Sequence, residues 1–215
     1  MTRIGLSGGI ASGKSAVATA LTTSAALREA IGGVTEHVDA DAVLRTARGE
    51  AADLRAAIIQ AVPEAGRPDG TIDATLLAAR AFADPATLSR LEELQWPVVR
   101  TLIDEASRAA DARGVRLLIV EAIALGRSGL GASLDGVIHL NVDEETRRAR
   151  FLARGGVSAD FDRRAAAQAG LQEELARLGA IEIDGHGTLS EVVESAIPVL
   201  RHLCLGDEST GRNHP

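Results

Sequence analysis

Lys14 is the only lysine in a chain of 215 residues that carries 22 arginines. It stands where a compact ammonium on a flexible stem does something a planar guanidinium does not. The surrounding residues, Gly8-Gly9-Ile10-Ala11-Ser12-Gly13-Lys14-Ser15, fit the phosphate-binding pattern G-x-x-x-x-G-K-[ST] in full. Arg3-Ile4-Gly5-Leu6-Ser7 before them suits a buried strand, and Ala16 to Leu21 after them is a run of good helix formers. A strand, a glycine loop and a helix N-terminus together make an anion cradle, because backbone N–H groups and the helix dipole converge on one point. In such a loop the lysine reaches β- and γ-phosphates and the serine hydroxyl ligates Mg²⁺. The expected cofactors are therefore ATP and Mg²⁺, with Gly8, Gly9, Ile10, Ala11, Ser12, Gly13, Lys14, Ser15 and Ala16 around the nucleotide phosphates.

Other residues can join this chemistry. Asp39 and Asp41 leave the second predicted strand, where a carboxylate can accept a proton from an acceptor hydroxyl or help hold the metal. Either aspartate can instead cap the helix that follows, and Asp41 is well placed to do so. Glu121 ends an apolar strand, at a position from which it can serve the metal or the acceptor. Arg147, Arg148, Arg150 and Arg154 fall within eight residues of one predicted helix. Such a group is either a solvated charged face or a lid that brings guanidinium groups to a migrating phosphoryl. Trp96, the single tryptophan, reads as an anchor for a helical lobe or as a stacking surface. The five histidines show no metal spacing and receive no role.

The elements that must position these residues alternate. Strands are expected at 3–7, 34–38, 115–120, 136–142 and 180–183. Helices are expected at 16–31, 42–62, 73–83, from 84 towards 113 with Pro97 as a kink or break and Thr87 as a cap, 144–154, from 157 to about 177, and 190–203. Alternation of this kind predicts an α/β fold with a parallel sheet and ligands at the carboxyl ends of its strands. The 46% hydrophobic content supports a core, which must be aliphatic with three Phe and no Tyr. A net charge of −7 argues against general affinity for nucleic acid or an anionic membrane. One cysteine, Cys204, excludes an intramolecular disulfide. Without a leader-like start or a membrane-length apolar run, a soluble cytoplasmic protein is expected, as a monomer or small homo-oligomer. Residues 206–215 read as a disordered polar tail.

These residues resemble the dephospho-CoA kinase family along nearly all of the chain to about Leu200. Residues 4–15 resemble the family's opening strand and double-glycine loop, and Val38-Asp39-Ala40-Asp41 its D-A-D segment. Ile72-Asp73, Phe82-Ala83-Asp84-Pro85 and Leu91-Glu92 resemble its acceptor-side helices, and Val142 to Ser158 its lid. The resemblance implies a P-loop kinase fold like that of nucleoside monophosphate kinases, as one domain over 1–205. Its core would be 1–41, 115–142 and 178–205, its acceptor region 42–113 and its lid 143–177. It implies Lys14, Asp39 and Arg150 in catalysis, Arg154 with the nucleotide, Ser15 and Asp39 with the metal, and Asp41, Arg45, Phe82 and Glu121 with the acceptor. The implied reaction moves the γ-phosphoryl of ATP to the 3′-hydroxyl of dephospho-CoA.

The chain departs from the pattern in places. The family's P-L-L-F-E is replaced in the stretch Glu121-Ala122-Ile123-Ala124-Leu125-Gly126-Arg127, and a basic residue expected after Gln168 falls near Glu174. Its I-D-R is Ile72-Asp73-Ala74, its His-Pro is Trp96-Pro97, and the asparagine of its D-N-x-G turn falls at Gly185. Two alternatives stand beside the first reading: a sister kinase for another hydroxyl acceptor such as a nucleoside or nucleotide, and a nucleotide-binding regulator without catalysis.

Overall fold

The computed structural model describes residues 1–206. Among them, five strands form one all-parallel sheet in the order β2-β3-β1-β4-β5: β1 Thr2–Ser7, β2 Thr35–Asp39, β3 Leu117–Glu121, β4 Gly136–Asn141 and β5 Ile181–Asp184. Strand β3 is buried along its whole length, which is why it reads as an unbroken apolar run rather than an alternation. The chain goes from β1 outward to β2, returns to fill the gap with β3, then crosses to β4 on the other side of β1. The order therefore reverses beside β1, and ligands of open parallel sheets bind outside the carboxyl ends of the strands at such a switch point. The glycine loop emerges there.

Each sheet face carries its own helices. Ile4, Leu6, Leu117, Ile119, Ile138 and Leu140 pack against α1 (Lys14–Thr23), α2 (Ala25–Ile31) and α10 (Leu189–Leu205). Leu118, Val120 and Val137 face the other way, towards α3 (Ala40–Glu50), α6 (Pro85–Ala112) and α9 (Leu171–Arg177). A third core, with Leu54, Ile58, Leu77 and Leu91, ties α3 and α6 to α4 (Ala52–Ala61) and α5 (Ala74–Ala83). The helices α7 (Glu144–Ala153) and α8 (Ser158–Ala166) complete the chain between β4 and α9.

Several boundaries differ from the sequence reading. The helix expected over 16–31 is two, because Ser24 leaves helical geometry and its hydroxyl caps α2 by accepting the Leu27 N–H at 3.1 Å. The helix expected over 42–62 breaks at Ala51, whose backbone is extended. The one expected from 157 to 177 breaks at Gly170, with φ +84°. Pro97, in contrast, lies inside an uninterrupted α6. That helix is capped by Asp84 rather than Thr87: its carboxylate accepts the N–H groups of Ala86 and Thr87, and the Thr87 hydroxyl as well. Trp96 is half-buried on α6. The polar tail expected over 206–215 lies outside the described residues, Gly206 apart, which ends α10.

Candidate active site

The glycine loop is held in a conformation only part of the sequence can adopt. Gly13 caps α1 at φ +102°, and Ala11, at φ +59°, is the only non-glycine residue with positive φ among the described residues. An alanine in the left-handed region costs of order 1 kcal/mol and persists where the surroundings over-determine it. Gly9 is required by contact rather than torsion, since a Cβ there would stand 2.6 Å from Arg147 Nη1.

Lys14 is 8% exposed, and its ammonium donates to the Gly8 and Gly9 carbonyls at 2.9 and 3.3 Å. Burial pushes its pKa down, against the pull of Glu121, Asp41 and Asp39. The Ser12 hydroxyl is buried in the same loop and has no partner, a polar group of the kind that a bound anion satisfies.

At the ends of β2 and β3, Asp39 and Glu121 are register partners on adjacent strands, which places their backbones about 4.8 Å apart. Glu121 is buried, and both its oxygens are engaged: Oε1 accepts the Ser15 hydroxyl at 2.6 Å, and Oε2 lies 3.0 Å from His37 Nε2. Burial raises its pKa, but the hydrogen bonds from His37 and Ser15 and the charge of Lys14 outweigh that and hold the carboxyl below its ordinary value. His37 was given no role from sequence; its position two residues before Asp39, on the same face of β2, is the signal that would have found it.

Asp39, not Asp41, caps α3. Its Oδ1 accepts the N–H groups of Asp41 and Ala42 at 2.8 and 3.0 Å, so Oδ2 is the oxygen left for chemistry, with Arg45 Nη2 at 3.8 Å. Asp41 sits in the first turn, exposed as a residue. Its carboxyl is nevertheless pushed upward by crowding among protein atoms and by the charge of Asp39.

The arginines of α7 divide. Arg150 spans two loops, donating to Ser12 O and Gly185 O at 2.9 Å each. Arg147 lies over Gly9 and donates from Nε to Val142 O at 3.1 Å. Arg148 turns away to Glu144, Asp162 and Ser158 and sits 4.5 Å above the Phe161 ring, stapling α7 to α8. Arg154 is exposed beyond the end of α7, with no side-chain partner among the described residues. On α8–α9, Gln168 accepts the Ile10 N–H at 2.9 Å, which ties this segment to the glycine loop. Phe82, on α5, packs under Arg164 of α8, 5.9 Å from guanidinium to ring centroid. Contacts around the glycine loop and the ends of β2 and β3 bring together Lys14, Ser15, Asp39, Glu121, His37, Arg147 and Arg150, while Arg148 and Phe82 make their contacts with α8.

The arrangement matches known proteins. The family model for dephospho-CoA kinase, CoaE, covers residues 2–191. A dephospho-CoA kinase of Anaeromyxobacter dehalogenans is 38% identical over 82% of this chain and 81% of its own length. One of Geobacter sulfurreducens is 36% identical over 89% and 93%. Among solved structures, TT1252 from Thermus thermophilus superposes with a TM-score of 0.71 at 28% identity, covering 93% of this chain and 95% of that one. With its parallel sheet, complete glycine loop and paired carboxylates, the chain belongs to the dephospho-CoA kinase family.

Proposed function

We propose that the protein phosphorylates the 3′-hydroxyl of dephospho-CoA at the expense of ATP, giving CoA. The observation that carries the reading is the convergence, on one end of the sheet, of a complete phosphate loop and the free oxygen of Asp39. Lys14, folded back on the loop carbonyls, exchanges Gly8 O and Gly9 O for β- and γ-phosphate oxygens when nucleotide enters. Arg150 pins the loop to the turn after β5, and Arg147 covers Gly9, so both guanidinium groups lie close to where charge builds on the transferred phosphoryl.

The donor set suits Mg²⁺, which takes oxygen ligands and keeps several waters. The Ser15 hydroxyl would hold the ion, with Glu121 behind it and Asp39 beside it; when bound, the ion neutralises charge on the β- and γ-phosphates. Glu121 accepts the Ser15 hydroxyl hydrogen bond and so leaves the serine lone pairs for the ion. Asp39, oriented by its two capping hydrogen bonds, receives the proton of the acceptor hydroxyl on Oδ2. Residues 143–177 then act as a lid that keeps water from the γ-phosphate.

A coupled assay of ADP release with dephospho-CoA, adenosine and a panel of nucleotides tests the reading. Turnover confined to dephospho-CoA is the expected result. Turnover on a nucleoside or nucleotide in its place identifies a re-specialised kinase. Tight ATP binding with no turnover on any acceptor identifies a regulator.

A further inference from the structure

Arg127, in the loop after β3, meets acids from two other parts of the chain. Its Nη1 lies 3.3 Å from Glu92 Oε1 on α6, and its Nε lies 3.1 Å from Glu174 Oε1 on α9. Its backbone N–H also donates to Glu174 Oε2 at 3.2 Å. The group is sheltered: the side chains are 30%, 17% and 15% exposed for Arg127, Glu92 and Glu174. Gly126 allows the close approach, since a Cβ there would stand 3.0 Å from Glu174 Cβ. Burial and the charge of Glu174 raise the Glu92 pKa, and Arg127 opposes them. Partly buried ions of this kind cost most when one partner is removed and the others stay behind unpaired.

We infer that Glu92, Arg127 and Glu174 form an ionic interlock between the acceptor lobe and the lid, and that Arg127 is a positioning residue for the acceptor side of the site. Both residues stand where the chain departs from the family pattern: Arg127 in the stretch that replaces P-L-L-F-E, and Glu174 near the expected basic residue. In the folded chain the two departures meet in one contact.

The interlock joins the lobe on α6, the loop at the carboxyl end of β3 and the α9 end of the lid, and shares no residue with the Arg150 contacts to Ser12 and Gly185. Its disturbance falls on the acceptor more than on ATP. This assignment rests on the kinase reading above for its kinetic part and on geometry alone for the contact.

The experiment compares the wild type with Arg127→Glu, Glu174→Arg and the double exchange, reading KM for dephospho-CoA, KM for ATP and urea unfolding. Arg127→Glu places three acids together, and Glu174→Arg two cations with one acid. Each should raise KM for dephospho-CoA about tenfold or more, with KM for ATP within about twofold, the size expected for one broken, partly buried pair. The double exchange should return KM for dephospho-CoA to within about threefold of wild type. A double variant no better than the worse single variant overturns the interlock. Single variants that lose stability with unchanged KM overturn the positioning role. If a single reversal does not fold, Arg127→Gln and Glu174→Gln replace it, and additive effects of these two overturn the coupling. A wild type inactive on dephospho-CoA defeats the functional reading instead, and the unfolding cycle then still decides whether the three charges are coupled.

Discussion

The Ser15 hydroxyl donates to Glu121 Oε1 across 2.6 Å, joining the last residue of the phosphate loop to the end of β3. A serine whose O–H donates to a carboxylate keeps its oxygen lone pairs free for a cation. His37 fixes the other oxygen of the same carboxylate at 3.0 Å, so the Glu121 carboxylate is held from both sides. Under the proposed reading, this places Glu121 beside the metal ligand Ser15.

Glu121→Gln keeps an oxygen for Ser15 and removes the charge. ATP affinity in the presence of Mg²⁺ should fall about tenfold, the scale of one charge-assisted hydrogen bond, while affinity in chelator should change little. Calorimetric titration at several Mg²⁺ concentrations checks this. His37→Ala should move Mg²⁺ dependence the same way and less far, and equal losses with and without Mg²⁺ would place both residues outside the metal's reach.

Asp39 caps α3 with Oδ1, and the proposed reaction gives Oδ2 a second job that can be separated from the first. Asparagine caps a helix about as well as aspartate, but it accepts no proton. Asp39→Asn should therefore cut kcat by about 10² or more and leave unfolding free energy within about 0.5 kcal/mol. Asp39→Ala should cut kcat similarly and cost about 1 kcal/mol in addition. Chemical denaturation beside steady-state kinetics makes the comparison; an active Asp39→Asn enzyme would leave the residue as a cap alone.

What was legible in the sequence was local. Gly8 to Ser15 could be read because the phosphate loop is a short contiguous motif whose strand and helix flank it. β3 could be read because burial on both faces leaves an unmistakable apolar run. The breaks at Ser24 and Ala51 were missed because alanine-rich flanks satisfy helical propensity on both sides of each. For Ser24 a cue existed in Thr22-Thr23-Ser24, where hydroxyls compete for backbone groups. Arg147 and Arg148 are adjacent in sequence, and only tertiary packing sends one over Gly9 and the other to Asp162. The contact between Arg127 and Glu174 spans 47 residues, so two departures from a pattern looked independent until the fold joined them.

His186 stands between two acids, its Nδ1 2.5 Å from Asp184 Oδ1 and its Nε2 2.7 Å from Asp143 Oδ2. Asp143 caps α7 and Asp184 ends β5, so the imidazole links the start of α7 to the turn held by Arg150. The hydrogen bonds to Asp184 and Asp143 raise the His186 pKa, and those from Thr146 and His186 lower that of Asp143. A raised histidine contributes stability that is fully present below its unfolded pKa of about 6.5 and lost as pH rises through the folded value. The stability gap between wild type and His186→Gln should accordingly be largest below about pH 6.5 and shrink as pH rises through the raised folded pKa. The ring-proton titration of His186 by NMR should show a midpoint above the ordinary histidine value, falling back in Asp143→Asn. An unshifted midpoint would remove the link.

Phe161 is fully buried on α8, 5.7 Å from the Phe151 ring, with the Arg148 guanidinium over its other surroundings at 4.5 Å. Truncation to alanine should destabilise this segment by about 3–5 kcal/mol. Because the α7–α9 segment has few other fully buried side chains, the loss should appear first as faster amide exchange across α7 and α8, with β1, β3 and β4 still protected. Uniform loss of protection over the sheet would mean that lid and core unfold as one unit.

Arg150 and Arg154 lie four residues apart, and the structure treats them differently. Arg150 donates to two carbonyls from two loops, a fork that lysine cannot reproduce from a single ammonium. Arg150→Lys should raise KM for ATP about tenfold or lower kcat by about 10², since the glycine loop and the turn at Gly185 lose their common anchor. Arg154 is exposed without a side-chain partner, so Arg154→Ala should leave unfolding within about 0.5 kcal/mol of wild type. Any kinetic effect of Arg154→Ala must then arise in the nucleotide-bound enzyme, through a contact that the nucleotide-free protein does not make. Comparing KM for ATP with nucleotide-free stability in both variants separates the two roles. If Arg154→Ala left KM and kcat unchanged, Arg150 and Arg147 would be the arginines of α7 that face the phosphates.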